Sequence, residues 1–318
     1  MWNNWLSGTR KMPPKAAAVS VVVPLYNHQQ YVAEALESVL AQSLPAKEII
    51  VVDDGSQDDS AAIARRYAGN DPRIKVWQHP NQGAHYTINT GIHLAGEEYV
   101  AILNSDDAYL PHRLQECVAF LADRPEVGAV ASGLQFMDDA SRAIKNPWYE
   151  EALAFRREVG DLALALANGN FVMTTSNLVI RRSVFQEIGY FCALRYAHDL
   201  DFFLRLLLAG KSFEILDAPL LRYRLHATNT IKENAVKVRA EWAAVVSFFA
   251  YALMARRERG AAVWSYRRRL VDIAERHRLS GLVLLFLNYF AQLPPGQVSS
   301  DAFLRDPDFL SQVLDAAR

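Results

Sequence analysis

Two short stretches decide how this chain folds: Val19-Ser20-Val21-Val22-Val23-Pro24-Leu25-Tyr26-Asn27 and Glu48-Ile49-Ile50-Val51-Val52-Asp53-Asp54-Gly55-Ser56. The first opens on a β-branched run of strand length, and its near-continuous apolarity suits a strand covered on both faces. The second repeats the signal, and both stop at polar turn residues. Between them Tyr31, Val32, Ala35, Leu36, Val39 and Leu40 recur at helical spacing and mark one apolar helix face. Working outward, Ser56-Gln57-Asp58-Asp59 reads as a capping box opening a helix through Ala68. Residues 73–78 and 98–103 repeat the strand signal. Helices are expected over 85–95 and, after a helix-starting Pro111, through Leu121. This βαβα series over 19–136 predicts an α/β fold, a mostly parallel central sheet flanked by helices.

Ligands of such sheets bind beyond the carboxyl ends of the strands. The residues there, after the first, second and fourth strands, are Leu25-Tyr26-Asn27, Asp53-Asp54-Gly55-Ser56 and Asn104-Ser105-Asp106-Asp107. Taken singly, Asp, Gly and Ser are ordinary turn and N-cap residues. Gathered at one edge, carboxylates repel one another unless a cation or a hydrogen-bonding ligand is present, which points to a divalent metal with a phosphate-bearing substrate. Mg2+ or Mn2+ suits one or two carboxylates plus phosphate oxygens.

Beyond 136 the alternation breaks. Residues 138–147 form a polar connection, 151–167 read as a helix, and Asn168-Gly169-Asn170 leads into a strand-like stretch through Ile180. His198-Asp199-Leu200-Asp201-Phe202-Phe203-Leu204-Arg205 then opens a helix with Phe202, Phe203, Leu206 and Leu207 on its apolar face. Asp199 falls in the first turn, where the helix dipole favours a carboxylate. It is either a capping acid or a general base at a pocket rim.

Composition sets the outer limits. With 318 residues, 51% hydrophobic and 22% charged, the chain can bury a substantial core and is not a disordered segment. A formal net charge of −1 gives no global field to draw it onto nucleic acid. Two cysteines, Cys117 and Cys192, exclude a disulfide scaffold or a Cys-ligated zinc module and fit a reducing cytosol. Cys117 reads as a small core residue, and His79, His85, His93 and His112, which lack metal-ligand spacing, read as surface or loop residues. Residues 1–18 read as a flexible arm without a signal peptide's apolar run. In the longest uncharged segment, 279–300, the strongly apolar part covers 281–291, short of the roughly 20 residues a bilayer span needs.

Residues 231–318 read as a helical extension. Within it, 232–278 carry eleven Lys and Arg against five Asp and Glu, so the near-zero total is a cancellation of segregated charge. Two explanations stand: a peripheral face meeting anionic lipid at the inner side of the membrane, or a helical appendage packed on the rest with a solvated basic surface.

Together these segments resemble the family 2 glycosyltransferases, inverting enzymes with the GT-A fold, over 19–229. The two opening stretches, with Gln42-Ser43 between them, carry most of the likeness. Asn81-Gln82-Gly83, Asn89-Thr90-Gly91-Ile92, Ala95-Gly96-Glu97, Ser105-Asp106-Asp107 before Leu110-Pro111, and Tyr223-Arg224-Leu225-His226 add to it. The resemblance implies a catalytic domain over 19–230. It implies a nucleotide site at Pro24, Tyr26, Asn27, Asp53, Asp54 and Asp106, in which Pro24, Tyr26 and Asp54 meet the base and ribose. It places a Mn2+ or Mg2+ ion on Asp107, with His226 near the phosphates and metal, and makes Asp199 the catalytic base. The donor implied is a nucleoside-diphosphate sugar, most often a UDP-sugar. The acceptor implied is a saccharide or lipid-linked hydroxyl in bacterial polysaccharide or lipopolysaccharide assembly.

Two positions depart from the pattern. Asn104 stands where an acid usually heads the metal motif, with consequences for metal affinity or donor choice, and His198 precedes the base where Glu is common. They keep open an alternative, a nucleotide-sugar or partner-binding module of the same fold with impaired catalysis. A dinucleotide oxidoreductase is disfavoured because Leu25-Tyr26-Asn27-His28 contains no glycine. A sugar nucleotidyltransferase is disfavoured because Gly8-Thr9-Arg10 precedes the first strand instead of following it.

Overall fold

Strand β1 (Val19–Leu25) sends alternate side chains into two apolar cores: Val19, Val21, Val23 and Leu25 join one, Val22 the other. Period-two alternation with both faces apolar requires cover on both sides. In a computed structural model, which describes residues 18–318, that cover is helical. Strands β2 (Glu48–Asp53), β3 (Ile74–Gln78) and β4 (Tyr99–Ile102) join β1 in the parallel order β3-β2-β1-β4. Helices α1 (Val32–Leu40) and α2 (Ser60–Asn70) pack on the first core, α3 (Ala84–Leu94) on the second. The close approach of α3 to β1 requires Gly91, since a Cβ there would lie 2.2 Å from Val22 Cγ1.

After β4 the sheet becomes mixed. It continues with β5 (Ala108–Tyr109), β6 (Val127–Met137), β7 (Ala143–Ile144), β8 (Val179–Arg181) and β9 (Ser212–Arg224). The order beyond β4 is β8-β6-β9-β5, with β7 on β6. β8 runs antiparallel to both β4 and β6, whereas β6 and β9 run parallel with register shifts around Ser132 to Leu134. The expected α/β fold is therefore present, with a continuous parallel block in β3-β2-β1-β4, a second parallel pair in β6 and β9, and the antiparallel β8 between them.

Helices α4 (Arg113–Asp123), α5 (Pro147–Val159), α6 (Leu162–Asn168), α7 (Arg182–Ile188) and α8 (His198–Leu208) complete this part. Three local expectations need correction. The helix expected over 151–167 is two helices, broken at Gly160 with φ +61°, after which Asp161 caps α6 by accepting from Leu164 N. The strand expected through 180 shrinks to β8. Before it, Thr174, Ser176 and Asn177 engage nearby side-chain and backbone groups, which gives a 3-10 turn. The capping box before α2 does not form. Ser56 Oγ instead accepts from Asn27 N, and the Asp58 carboxylate from Gln29 N and Ser60 N.

The C-terminal region folds as α9 (Ala235–Ala255), α10 (Ala261–Arg276), α11 (Ser280–Gln292) and α12 (Pro307–Ala316). Its buried Ala243, Val246, Phe286, Phe290 and Val313 belong to the same apolar cluster as Val22, Ile50 and Ile102 of the sheet. Burying one such Phe contributes about 1.5–3 kcal/mol, so these helices are held by a shared core. By length and composition α9 could cross a membrane, with a mean hydropathy of 1.3 in its most apolar window. In the fold it packs on α8 and α11, and 44% of that window is buried. The arm expected at 1–18 and the Gly8-Thr9-Arg10 segment lie, except for Ala18, outside the described residues.

Candidate active site

Parallel β1, β2 and β4 end side by side, so the polar residues after them share one edge. Pro24 and Asp53 are the last pairs but one and last along β1 and β2, facing Val52 and Leu25. Asn27 takes a left-handed conformation at φ +49°. It ties the first loop to the second, accepting from Gln57 N at 2.8 Å through Oδ1 and donating its own N–H to Ser56 Oγ. Tyr26 stands exposed beside it. Asp53 is fully buried and accepts from Ser56 N. Asp54 accepts from Gln82 N at 2.7 Å and Gly83 N at 2.9 Å, which fixes the turn into α3. His79 lies beside it, Nδ1 to Asp54 Oδ1 3.4 Å, and the buried Nε2 of that histidine has no partner. An unpartnered buried ring nitrogen beside a carboxylate is a ready contact for a polar ligand.

The adjacent acids of the third loop separate in role. Asp107 is 1% exposed, with Ser176 Oγ donating to Oδ2 at 2.6 Å and Arg224 N to Oδ1 at 2.9 Å. Asp106 instead faces His226, whose Nε2 lies 3.0 Å from Oδ2. His28 completes a group in which one ligand atom from each of His28, Asp106 and His226 lies within 4.8 Å of the others. The His28 Nδ1 engages Ser105 Oγ and the His226 Nδ1 engages Thr228 Oγ1, so partners outside the group orient both rings. Burial and the Asp106 charge push the Asp107 carboxyl up. Burial would raise Asp106 as well, but the His226 hydrogen bond and the two histidine charges outweigh it and hold that carboxyl down. Of the pair, Asp106 is the acid that faces the histidines, whereas both oxygens of Asp107, the ligand implied by the resemblance, accept hydrogen bonds from Ser176 and Arg224.

Arg224, also 1% exposed, braces this loop. Its Nε donates to Asp106 O at 2.7 Å, one terminal nitrogen to Asp138 O and Ser141 Oγ, and the other to Glu34. Asn104 is likewise absorbed in bracing: it donates to Thr174 Oγ1, accepts from Thr175 Oγ1 and donates its N–H to Ser176 Oγ. The departure at Asn104 therefore substitutes a scaffold contact for a charge.

Asp199 lies at the start of α8 and is buried. Its Oδ2 accepts from Asn170 Nδ2 at 2.7 Å and its Oδ1 from Leu200 N. Burial pushes its carboxyl up, against the opposing charge of His198 and these hydrogen bonds. Burial, and then the charges of Asp107, Asp106 and Asp199, push the Tyr223 phenol up. His198 carries a buried Nδ1 without a partner, and His85 is pushed down by burial and by His198. Sequence reasoning missed His28, His79, His85 and Asn170. Each comes from a loop or helix start whose place at this edge depends on tertiary packing, and no spacing signal marks them.

The fold and this site define a GT-A glycosyltransferase. Residues 20–189 match the family described as Glycosyl transferase family 2, and the chain belongs to that family. An uncharacterized glycosyltransferase of Rickettsia typhi is 29% identical over 230 residues, 70% of each chain. Chondroitin synthase of Pasteurella multocida is 28% identical over 217 residues, 68% of this chain and 21% of that one. Among solved structures, residues 1–349 of S. aureus TarS in complex with UDP-GlcNAc superpose with a TM-score of 0.62 at 19% identity, covering 95% of this chain and 82% of that one.

Proposed function

We propose that this chain is an inverting glycosyltransferase that moves a sugar from a UDP-sugar to a saccharide or lipid-linked hydroxyl in the assembly of a cell-surface polysaccharide. The observation that carries this reading is the placement of the His28, Asp106 and His226 group at the same sheet edge as Tyr26, Asn27 and Asp54. Support for the donor comes from TarS, which holds UDP-GlcNAc and UDP in its complexes. Support for the product class comes from the chondroitin and hyaluronan synthases among the relatives.

In this scheme the first two loops bind the nucleoside, with Tyr26 offering an exposed ring and Asp54 free lone pairs. The acceptor hydroxyl attacks the anomeric carbon from the face opposite the diphosphate. Its proton passes to Asp199, the bond from C1 to the phosphate oxygen breaks, and the nucleoside diphosphate leaves with that electron pair. Burial raises the Asp199 carboxyl, which makes it a stronger base than a solvated one. Asn170 orients it. The donor set of His28, Asp106 and His226, two imidazole nitrogens and one carboxylate oxygen, fits a divalent cation. Imidazoles favour a transition metal such as Mn2+ over Mg2+. When bound there, the cation offsets charge on the departing diphosphate.

The test is a screen of UDP-sugars for release of UDP in Mn2+, repeated in chelator. Release that depends on Mn2+ supports both parts of the proposal, full release in chelator removes the metal role, and no release from any donor favours a binding module. At the far end of α9, Trp264 is 59% and Met254 51% exposed beside Arg257, Arg259 and Arg267. Exposed apolar side chains beside three arginines and one acid, Glu258, favour an anionic membrane surface as a second partner. Flotation with anionic liposomes at low salt tests it, and absence of binding there removes it.

A further inference from the structure

The helix carrying Asp199 meets one N–H of its first turn with a side chain of its own, Leu200 N on Asp199 Oδ1. Its N-cap is Ala197, which has no side chain able to satisfy the exposed N–H groups of the first turn. The segment leading into it, 192–197, is irregular. Both are instead gripped by the C-terminal helices. Glu241 of α9, 5% exposed, accepts from three consecutive backbone N–H groups: Arg195 at 3.0 Å through Oε1, and Tyr196 at 2.6 Å and Ala197 at 3.0 Å through Oε2. Asp301 accepts from Ala193 N at 3.2 Å, and Ser300 Oγ donates to Asp201 in the first turn of α8. Arg195 is further paired with Glu233.

We propose that Glu241 is a positioning residue for the transfer reaction: its carboxylate sets where α8 begins and thereby where His198 and Asp199 stand against the substrates. This rests on the reading of Asp199 as the base and extends the working site into residues beyond 230. A carboxylate suits the task. Three converging N–H dipoles present partial positive charge to a buried group, and a carboxylate satisfies them with both oxygens at once. A glutamine offers one accepting oxygen and turns an N–H2 toward N–H donors. The hydrogen bonds of Glu241 run to 195–197 and not to the nucleotide-binding loops, so its loss is expected to act on the base and leave the donor site in place. A displacement of about 1 Å at a reacting group costs on the order of 100-fold in rate.

The test compares wild type, Glu241→Gln, Asp301→Asn and Asp199→Asn in the full chain. Three quantities are measured: UDP release from the sugar donor found by the screen, calorimetric binding of UDP with Mn2+, and hydrogen exchange of the amides of 193–200. Glu241→Gln is expected to lower kcat about 10- to 100-fold with donor KM and UDP affinity within twofold, and to speed exchange over 193–200. Asp301→Asn, which loosens the same segment from its other side and leaves α9 intact, is expected to do so to a smaller extent and covers the case in which Glu241→Gln does not fold. Unchanged kcat in the two variants while Asp199→Asn is inactive overturns the proposal, as does a parallel loss of UDP binding. If Asp199→Asn remains active the base assignment fails instead, and the exchange of 193–200 alone then decides whether Glu241 sets the start of α8.

Discussion

Asn170 Nδ2 donates to Asp199 Oδ2 at 2.7 Å, while the other amide atom of Asn170, Oδ1, is buried with no partner among the described residues. The pair joins the loop after α6 to the start of α8. The hydrogen bond favours the ionised carboxyl, opposing the burial that pushes it up. Asn170→Ala should therefore move the Asp199 carboxyl further up. Because a base works only when ionised, the acid limb of the kcat profile should shift to higher pH, with kcat falling most on its acid side. A profile unmoved on the pH axis would separate Asn170 from the base.

Asp199 should also leave a mark on stability. Its carboxyl is raised in the folded chain, so the folded state holds the proton more readily than the unfolded one. Stability is then greatest below the unfolded value and declines as pH rises through the folded one. Asp199→Asn, which cannot ionise, should melt higher than wild type at pH 7, with the gap closing in acid. Thermal melts across pH check this, and a variant that melts lower at pH 7 contradicts it.

The proposed cation site separates the two neighbouring acids. His28→Ala and Asp106→Asn each remove a member of the group around which Mn2+ fits, whereas Asp107 is held by Ser176 and Arg224. Mn2+ binding followed by electron paramagnetic resonance should weaken at least tenfold in the first two, a loss in line with that seen for even outer partners of metal ligands. Asp107→Asn should retain it. The reverse ranking would return the ligand role to Asp107.

Gly91 sets the distance between α3 and β1, and an added Cβ would meet Val22 at 2.2 Å. Gly91→Ala should destabilise the fold by about 1–3 kcal/mol, the usual cost of overpacking a tight core. Chemical denaturation measures it, and a neutral result would show that α3 can slide outward freely.

The parallel half of the sheet was legible because β1 and β2 carry their own signal: apolar runs closed by Asn27 and by Asp53 to Ser56. Asp106, Asp199 and His226 could be singled out because they stand in short motifs. What the sequence concealed lies between segments far apart in the chain. Asp107 is tied inward by Ser176 and Arg224, 69 and 117 residues downstream, and the proposed preference for Asp106 rests on those two contacts. The start of α8 is set by Glu241, which from sequence was only one charge in a basic helical region. Gly160 broke a helix that periodicity alone carried through, because period says nothing of a left-handed residue.

The central claim, that Asp199 takes the acceptor proton in transfer from a UDP-sugar, is tested most directly by the rate of UDP release in Mn2+ for wild type and Asp199→Asn, alongside their affinity for UDP. The expected result is unchanged UDP affinity with release slowed about 10²- to 10⁴-fold, the range for loss of a general base. Release by Asp199→Asn at the wild-type rate would contradict the claim.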